Sequence, residues 1–80
     1  MQDSVLIHSK INLEIDRLKQ LWIVACKCHS VEGMAINSSI IEYLYHLLLD
    51  LDLIDLNEYR KILFQFSRWK CETATVFSFC

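Results

Sequence analysis

Apolar residues recur along the first third of the chain in steps of three and four. Ile11, Ile15, Leu18, Trp22 and Ala25 share one helical face, while Asn12, Asp16, Lys19, Gln20 and Lys27 take the other positions. The pattern predicts a first helix over about 4–29. Within it the run LWIVAC, residues 21–26, is apolar on every side, the signature of a segment enclosed by more than one neighbour. A dimer interface is the expected enclosure, with Leu18, Leu21, Trp22 and Ala25 of this helix and Leu44 and Leu48 of the next as its candidate residues.

The chain has one glycine, Gly33, and no proline. Glycine supplies the backbone freedom that a helix end or chain reversal needs, so residues 29–36 read as a connection. Asn37, Ser38 and Ser39 are all good N-cap residues, and Ser39 with Glu42 has capping-box spacing. A second helix is therefore expected over about 38–51, with Ile40, Ile41, Leu44, Leu47, Leu48 and Leu51 as a broad apolar stripe. LDLDLIDL alternates briefly like a strand, but Asp55 and Glu58 repeat the capping-box spacing, and Ile54 with Tyr59 has that of a hydrophobic staple. These signals start a third helix at Leu56, running to about residue 69. Its inward face is Tyr59, Ile62, Leu63 and Phe66. The tail CETATVFSFC, residues 71–80, lacks a helical period and reads as irregular, with Phe77 and Phe79 available to fold back over a helix.

Length sharpens this picture. Eighty residues make one α-helical domain with a core of marginal stability, and 54% hydrophobic residues against 22% charged leaves apolar surface for a partner to cover. A helical homodimer is the expected state. The net charge of −2 gives no basic excess of the kind nucleic-acid domains carry. Charged residues or histidine interrupt each apolar run before it could span a membrane, and the start MQDSVLIHSK lacks the basic, longer apolar pattern of a secretory signal. The expected location is the cytoplasm, with Cys26, Cys28, Cys71 and Cys80 as reduced thiols.

Three groups of residues could carry chemistry. Cys26-Lys27-Cys28-His29 has the residue types of a metal site, completed by Cys71 or His46, but on a helix Cys26 and Cys28 point about 200° apart, which does not suit zinc. No metal, cofactor or catalytic residue is expected. Asp50, Asp52, Asp55 and Glu58 gather at the junction of the second and third helices, where capping and a solvated turn account for them. Arg60, Lys61, Arg68 and Lys70, with Tyr59 and Trp69 beside them, make the third helix the basic element, and Arg60, Lys61 and Arg68 are its candidate contact face.

Two stretches carry a family resemblance. From Gly33, Met34-Ala35, Ile36, Asn37-Ser38-Ser39 and Ile40-Ile41, through Leu44 and Leu47, and again at Tyr59-Arg60-Lys61 with Ile62 and Leu63, the chain resembles the small biofilm-development and acid-resistance regulators of enterobacteria, the two-component-system connectors. The resemblance covers somewhat under half the chain. It implies an all-α subunit that works as a dimer without an active site, contacts a sensor kinase or response regulator, and in some members contacts DNA. The cysteines, Trp22 and the tail depart from that pattern. The spacing from Arg17 to Ser38 also resembles the small sporulation-control aspartyl-phosphate phosphatases, but where their signature continues Ser-Gln-Glu-Leu-Asp this chain has Ser38-Ser39-Ile40-Ile41-Glu42. The reading is a non-enzymatic, three-helix regulatory protein acting through protein–protein contact, with a response-regulator phosphatase and a DNA-binding modulator as the alternatives.

Overall fold

The structure, a computed structural model, describes residues 2–77. Among them the chain forms three helices, α1 (Gln2–Lys27), α2 (Val31–Asp50) and α3 (Leu56–Val76). The elements are all α, as the periodicity predicts. Their boundaries differ from expectation in ways that have physical causes.

α1 ends at Lys27, and the turn that follows is built without glycine. His29 takes the left-handed conformation at φ 55°. Its N–H bonds the carbonyl of Cys26 at 3.1 Å while the Ser30 N–H reaches back to Ala25 at 2.8 Å, the paired bonds of a Schellman motif. The end of α2 repeats the device with Asp52 at φ 58°, its N–H on the Leu49 carbonyl and that of Leu53 on Leu48, both at 3.0 Å. Both chain reversals therefore use residues with side chains where glycine is the usual choice.

Gly33 is consequently not a connection, and the expectation of a loop over residues 29–36 is corrected. α2 starts at Val31, seven residues before the expected 38, and its cap is Ser30, whose Oγ accepts the N–H of Gly33 at 3.1 Å. Ser39, the expected cap, lies inside the helix. Gly33 serves a packing role instead. A Cβ added there would lie 2.9 Å from Ser30 Oγ and 3.0 Å from Ala25 Cβ, so the missing side chain is what lets the start of α2 approach α1.

α3 begins where the sequence places it, with the Asp55 carboxylate accepting the Glu58 N–H at 2.7 Å. It runs on to Val76 rather than stopping near residue 69, so the expected irregular tail is helical through residues 71–76. Thr75 accommodates itself there by donating its hydroxyl to the Cys71 carbonyl at 2.9 Å. Phe77 caps the helix, and Lys27 Nζ stands 5.2 Å from its ring centre. Ser78, Phe79 and Cys80, with the expected folding back of Phe79, lie outside the described residues.

α1 and α2 form an antiparallel hairpin, and α3 lies across one broad side of it, packed mainly on α2. The core is Ile11, Ile15 and Leu18 from α1, Ile41, Tyr45 and Leu48 from α2, Ile54 from the turn, and Phe66 from α3. Trp22 and Trp69 meet at 5.2 Å between ring centres and join α3 to α1, while Tyr45 meets the Phe66 ring edge-on at 5.8 Å. The molecule measures 43 × 21 × 17 Å with a radius of gyration of 13.5 Å, against about 11.6 Å for a compact domain of this length. So elongated a shape leaves helix faces uncovered.

Two substitutions test the corrected start of α2. Ser30→Ala removes the cap and is expected to cost about 1 kcal/mol in urea denaturation, whereas Ser39→Ala stays within about 0.5 kcal/mol of wild type. Glycine-to-alanine changes inside helices usually stabilise by about 1 kcal/mol. Gly33→Ala is expected to do the opposite, lowering the melting temperature by several degrees, because the new methyl crowds Ala25 on a neighbouring helix that cannot rotate away. A higher melting temperature would show that the two helices part easily.

Candidate interaction faces

The expected interface residues divide sharply once α3 is in place. Leu18, Trp22, Ala25 and Leu48 are buried in the protomer's own core, and Leu44 packs half-buried against that core. Their assignment to a dimer interface is corrected: neighbouring helices of the same chain enclose them. LWIVAC is sealed on one side only, since Trp22, Ala25 and Cys26 are buried while Leu21 and Val24 are exposed. Of the six expected residues, Leu21 alone presents substantial surface, at 42%.

Part of the apolar surface that remains open lies on one side of the hairpin, and helix geometry fixes which. α3 is touched by Trp22 of α1 through Trp69, by Lys19, whose Nζ stands 5.3 Å from the Trp69 ring centre, and by Ser38, Glu42 and Tyr45 of α2. Two positions along a helix correspond to a turn of about 200°. Val24 stands two positions from Trp22, and Leu21 two from Lys19. Ile36 and Ile40 stand two from Ser38, while Tyr43 and Leu47 stand two from Tyr45. All six therefore face away from α3, five of them exposed and Leu47 half-buried against the core. Leu13, 68% exposed, continues the stripe along α1, and Tyr43 is 64% exposed. Ile36, Ile40, Tyr43 and Leu47 follow one another at intervals of four, three and four, the spacing of a helix seam made to meet another helix. That interval was present in the sequence, but placing Ile36 in a loop concealed it.

Near the middle of this face Arg17 grips Glu14. Its Nε donates to Glu14 Oε2 at 3.0 Å and its terminal nitrogen donates to the other carboxylate oxygen. The hydrogen bond holds the Glu14 carboxyl below its ordinary range and the guanidinium above its own. The couple is net neutral.

The expected basic face is on the outer side of α3, where Arg60, Lys61 and Arg68 are all exposed. Phe64, 68% exposed, stands four positions from both Arg60 and Arg68 and so shares their helix face. Arg68 Nε is paired with Glu72 at 3.0 Å. Lys70 does not join this face. It turns inward, with Nζ 2.8 Å from Ser38 Oγ, 3.6 Å from Glu42 and 4.6 Å from the Phe66 ring centre, and so ties α3 to α2.

The other candidate groups serve local structure. Asp50 lies 3.1 Å from His46 Nδ1, Asp52 occupies the left-handed turn position, and Asp55 caps α3. Cys26 is fully buried, whereas Cys28 and Cys71 are exposed free thiols. No group of three or more metal-ligating side chains forms among the described residues, and no helix among them is long and apolar enough to cross a membrane. The indole N–H of Trp22 is buried without a hydrogen-bond acceptor beside the Trp69 ring.

No protein-family model, curated protein or solved structure matches the chain.

Tyr45 offers a readout of whether this core is closed. Burial, and secondarily the Asp16 carboxylate, push its phenol above the ordinary value of 10.0. A raised folded-state pKa means that the native protein keeps this proton after the unfolded chain has released it. The stabilisation is therefore fully present below pH about 10 and is lost as pH rises through the folded value. Urea titrations between about pH 8 and pH 11 are expected to show a steeper alkaline loss of stability in wild type than in Tyr45→Phe. Equal slopes would mean that the ring is not held in the core.

Proposed function

We propose that this chain is a small, non-enzymatic regulatory protein of the cytoplasm that works by self-association and by holding a component of a phosphorelay, a sensor kinase or a response regulator. Biofilm formation and acid or stress response are the outputs that the connector resemblance implies. The observation that carries the reading is the pair of unlike faces on one small helical subunit, an apolar face on the back of the hairpin and a basic, aromatic face on α3. The first suits a lasting contact, because apolar surface gains most when it is kept from water. The second suits a reversible contact with an acidic protein surface, because exposed charges act mainly on encounter rate and partner choice.

Affinity capture from the native host, with purified candidate kinase and regulator tested alongside, is the direct check. Retention of one of them, weakened about tenfold or more by Arg60→Glu with Lys61→Glu, is the expected result. Retention of neither would reject the connector reading. Stoichiometric protein is expected to leave the dephosphorylation rate of a phosphorylated regulator unchanged, and an acceleration would put a phosphatase in its place.

A further inference from the structure

We propose that the back of the hairpin is where a second copy of this chain docks, so that two hairpins close face to face into a four-helix core with α3 on the outside of each. The proposal rests on the self-association in the reading above and names the surface responsible.

Three observations select a second copy as the occupant. The first is area. A folded monomer of 9.5 kDa exposes about 5,000 Å² on average, and this protomer exposes 5617 Å², more than its size requires. The back of the hairpin, two helices of about 10 Å diameter along the roughly 30 Å of α2, offers about 600 Å². Two copies together would bury about 1,200 Å², within the range of stable specific interfaces. The second is pattern. The four-three-four spacing of Ile36, Ile40, Tyr43 and Leu47 is that of a seam packed against another helix, and α1 presents Leu13, Leu21 and Val24 beside it. Both α1 and α2 of a second hairpin are of matching length and apolar character. The third is charge. The Glu14–Arg17 couple near the middle of this face is net neutral and Lys10, seven positions before Arg17, adds a single exposed charge, so a two-fold axis sets the couple against its own copy without net repulsion. A face that is complementary to itself is what a two-fold dimer requires.

The surface also differs from one awaiting a basic or acidic partner, whose recognition would call for an excess of one sign. That excess lies on α3, on the opposite side of the molecule.

Multi-angle light scattering across a dilution series tests the proposal, with far-UV circular dichroism on the same samples. Wild type is expected to have twice the protomer mass at tens of micromolar. Ile40→Glu on α2 and Val24→Glu on α1 are each expected to weaken the dimer by at least about 30-fold, the effect of losing a central interface side chain, while keeping their helix content. Both side chains are already partly in water in the protomer, and each variant carries the test without the other. Phe64→Glu, on the outer face of α3, should leave the dimer intact. The proposal is overturned by a monomeric wild type at 100 micromolar or so, or by a helical Val24→Glu or Ile40→Glu protein with wild-type dimer affinity. Loss of the dimer in Phe64→Glu alone would also overturn it. Capture of the kinase or regulator is scored separately, so an intact dimer that holds neither partner would sink the connector reading and leave this surface standing.

Discussion

Trp22 and Trp69 fasten α3 across the hairpin, and the side on which they do so decides what the rest of the surface can be. A hairpin of two helices has two broad sides, and the chain has one further helix to cover them. The ring contact at 5.2 Å, reinforced by Lys19 over Trp69 and Lys27 over Phe77, commits α3 to one side along most of its length. Lys70 closes the same joint from the other edge by reaching Ser38 and Glu42 of α2. Leu13, Leu21, Val24, Ile36, Ile40 and Tyr43 on the opposite side are then left in water, although several have the size and spacing of core residues. The exposed face follows from this arithmetic of sides and helices.

The close approach at Gly33 shows how the hairpin itself is made rigid enough for such a division. α1 and α2 are joined by three residues, and the left-handed turn at His29 delivers Ser30 directly into its capping position. With Gly33 close against Ala25, the helices pair tightly from the turn, and larger side chains interdigitate from Leu18 and Ile41 onward. Asn37 donates to the Gly33 carbonyl at 2.8 Å, giving that first turn a further bond.

How much of this could be read from the chain varies with the range of the interaction involved. The α3 cap at Asp55 and the core positions Ile11, Ile15, Leu18 and Phe66 rest on local periodicity and side-chain chemistry, which a sequence displays directly. Gly33 was misleading because a glycine that permits a turn and a glycine that permits a close helix crossing look alike until the neighbour, Ala25, is known. His29 and Asp52 hide the true turns, since residues with side chains enter the left-handed region only when the surrounding hydrogen bonds hold them there. Residues 71–76 are rich in β-branched side chains of low helix propensity, yet Val76 ends a helix that packing and the Thr75 back-bond sustain. The open apolar face was the least legible feature. Two apolar stripes run along the hairpin, and nothing local says which one α3 will cover.

The division of labour between the faces also bears on how such a protein could respond to its surroundings. An apolar seam is held mainly by exclusion of water and changes little with ionic strength, whereas contacts through Arg60, Lys61 and Arg68 weaken as salt screens them within about 10 Å. On the proposed reading, self-association and partner binding depend on different variables, protein concentration for the first and ionic conditions for the second. They remain coupled through α3, whose inner residues Phe66, Trp69 and Lys70 lock it to the hairpin while its outer residues carry the charge. A perturbation that loosens Trp69 from Trp22 would shift the basic face and uncover the front of the hairpin together. The aromatic joint thus ties the position of the basic face to the cover over the front of the hairpin.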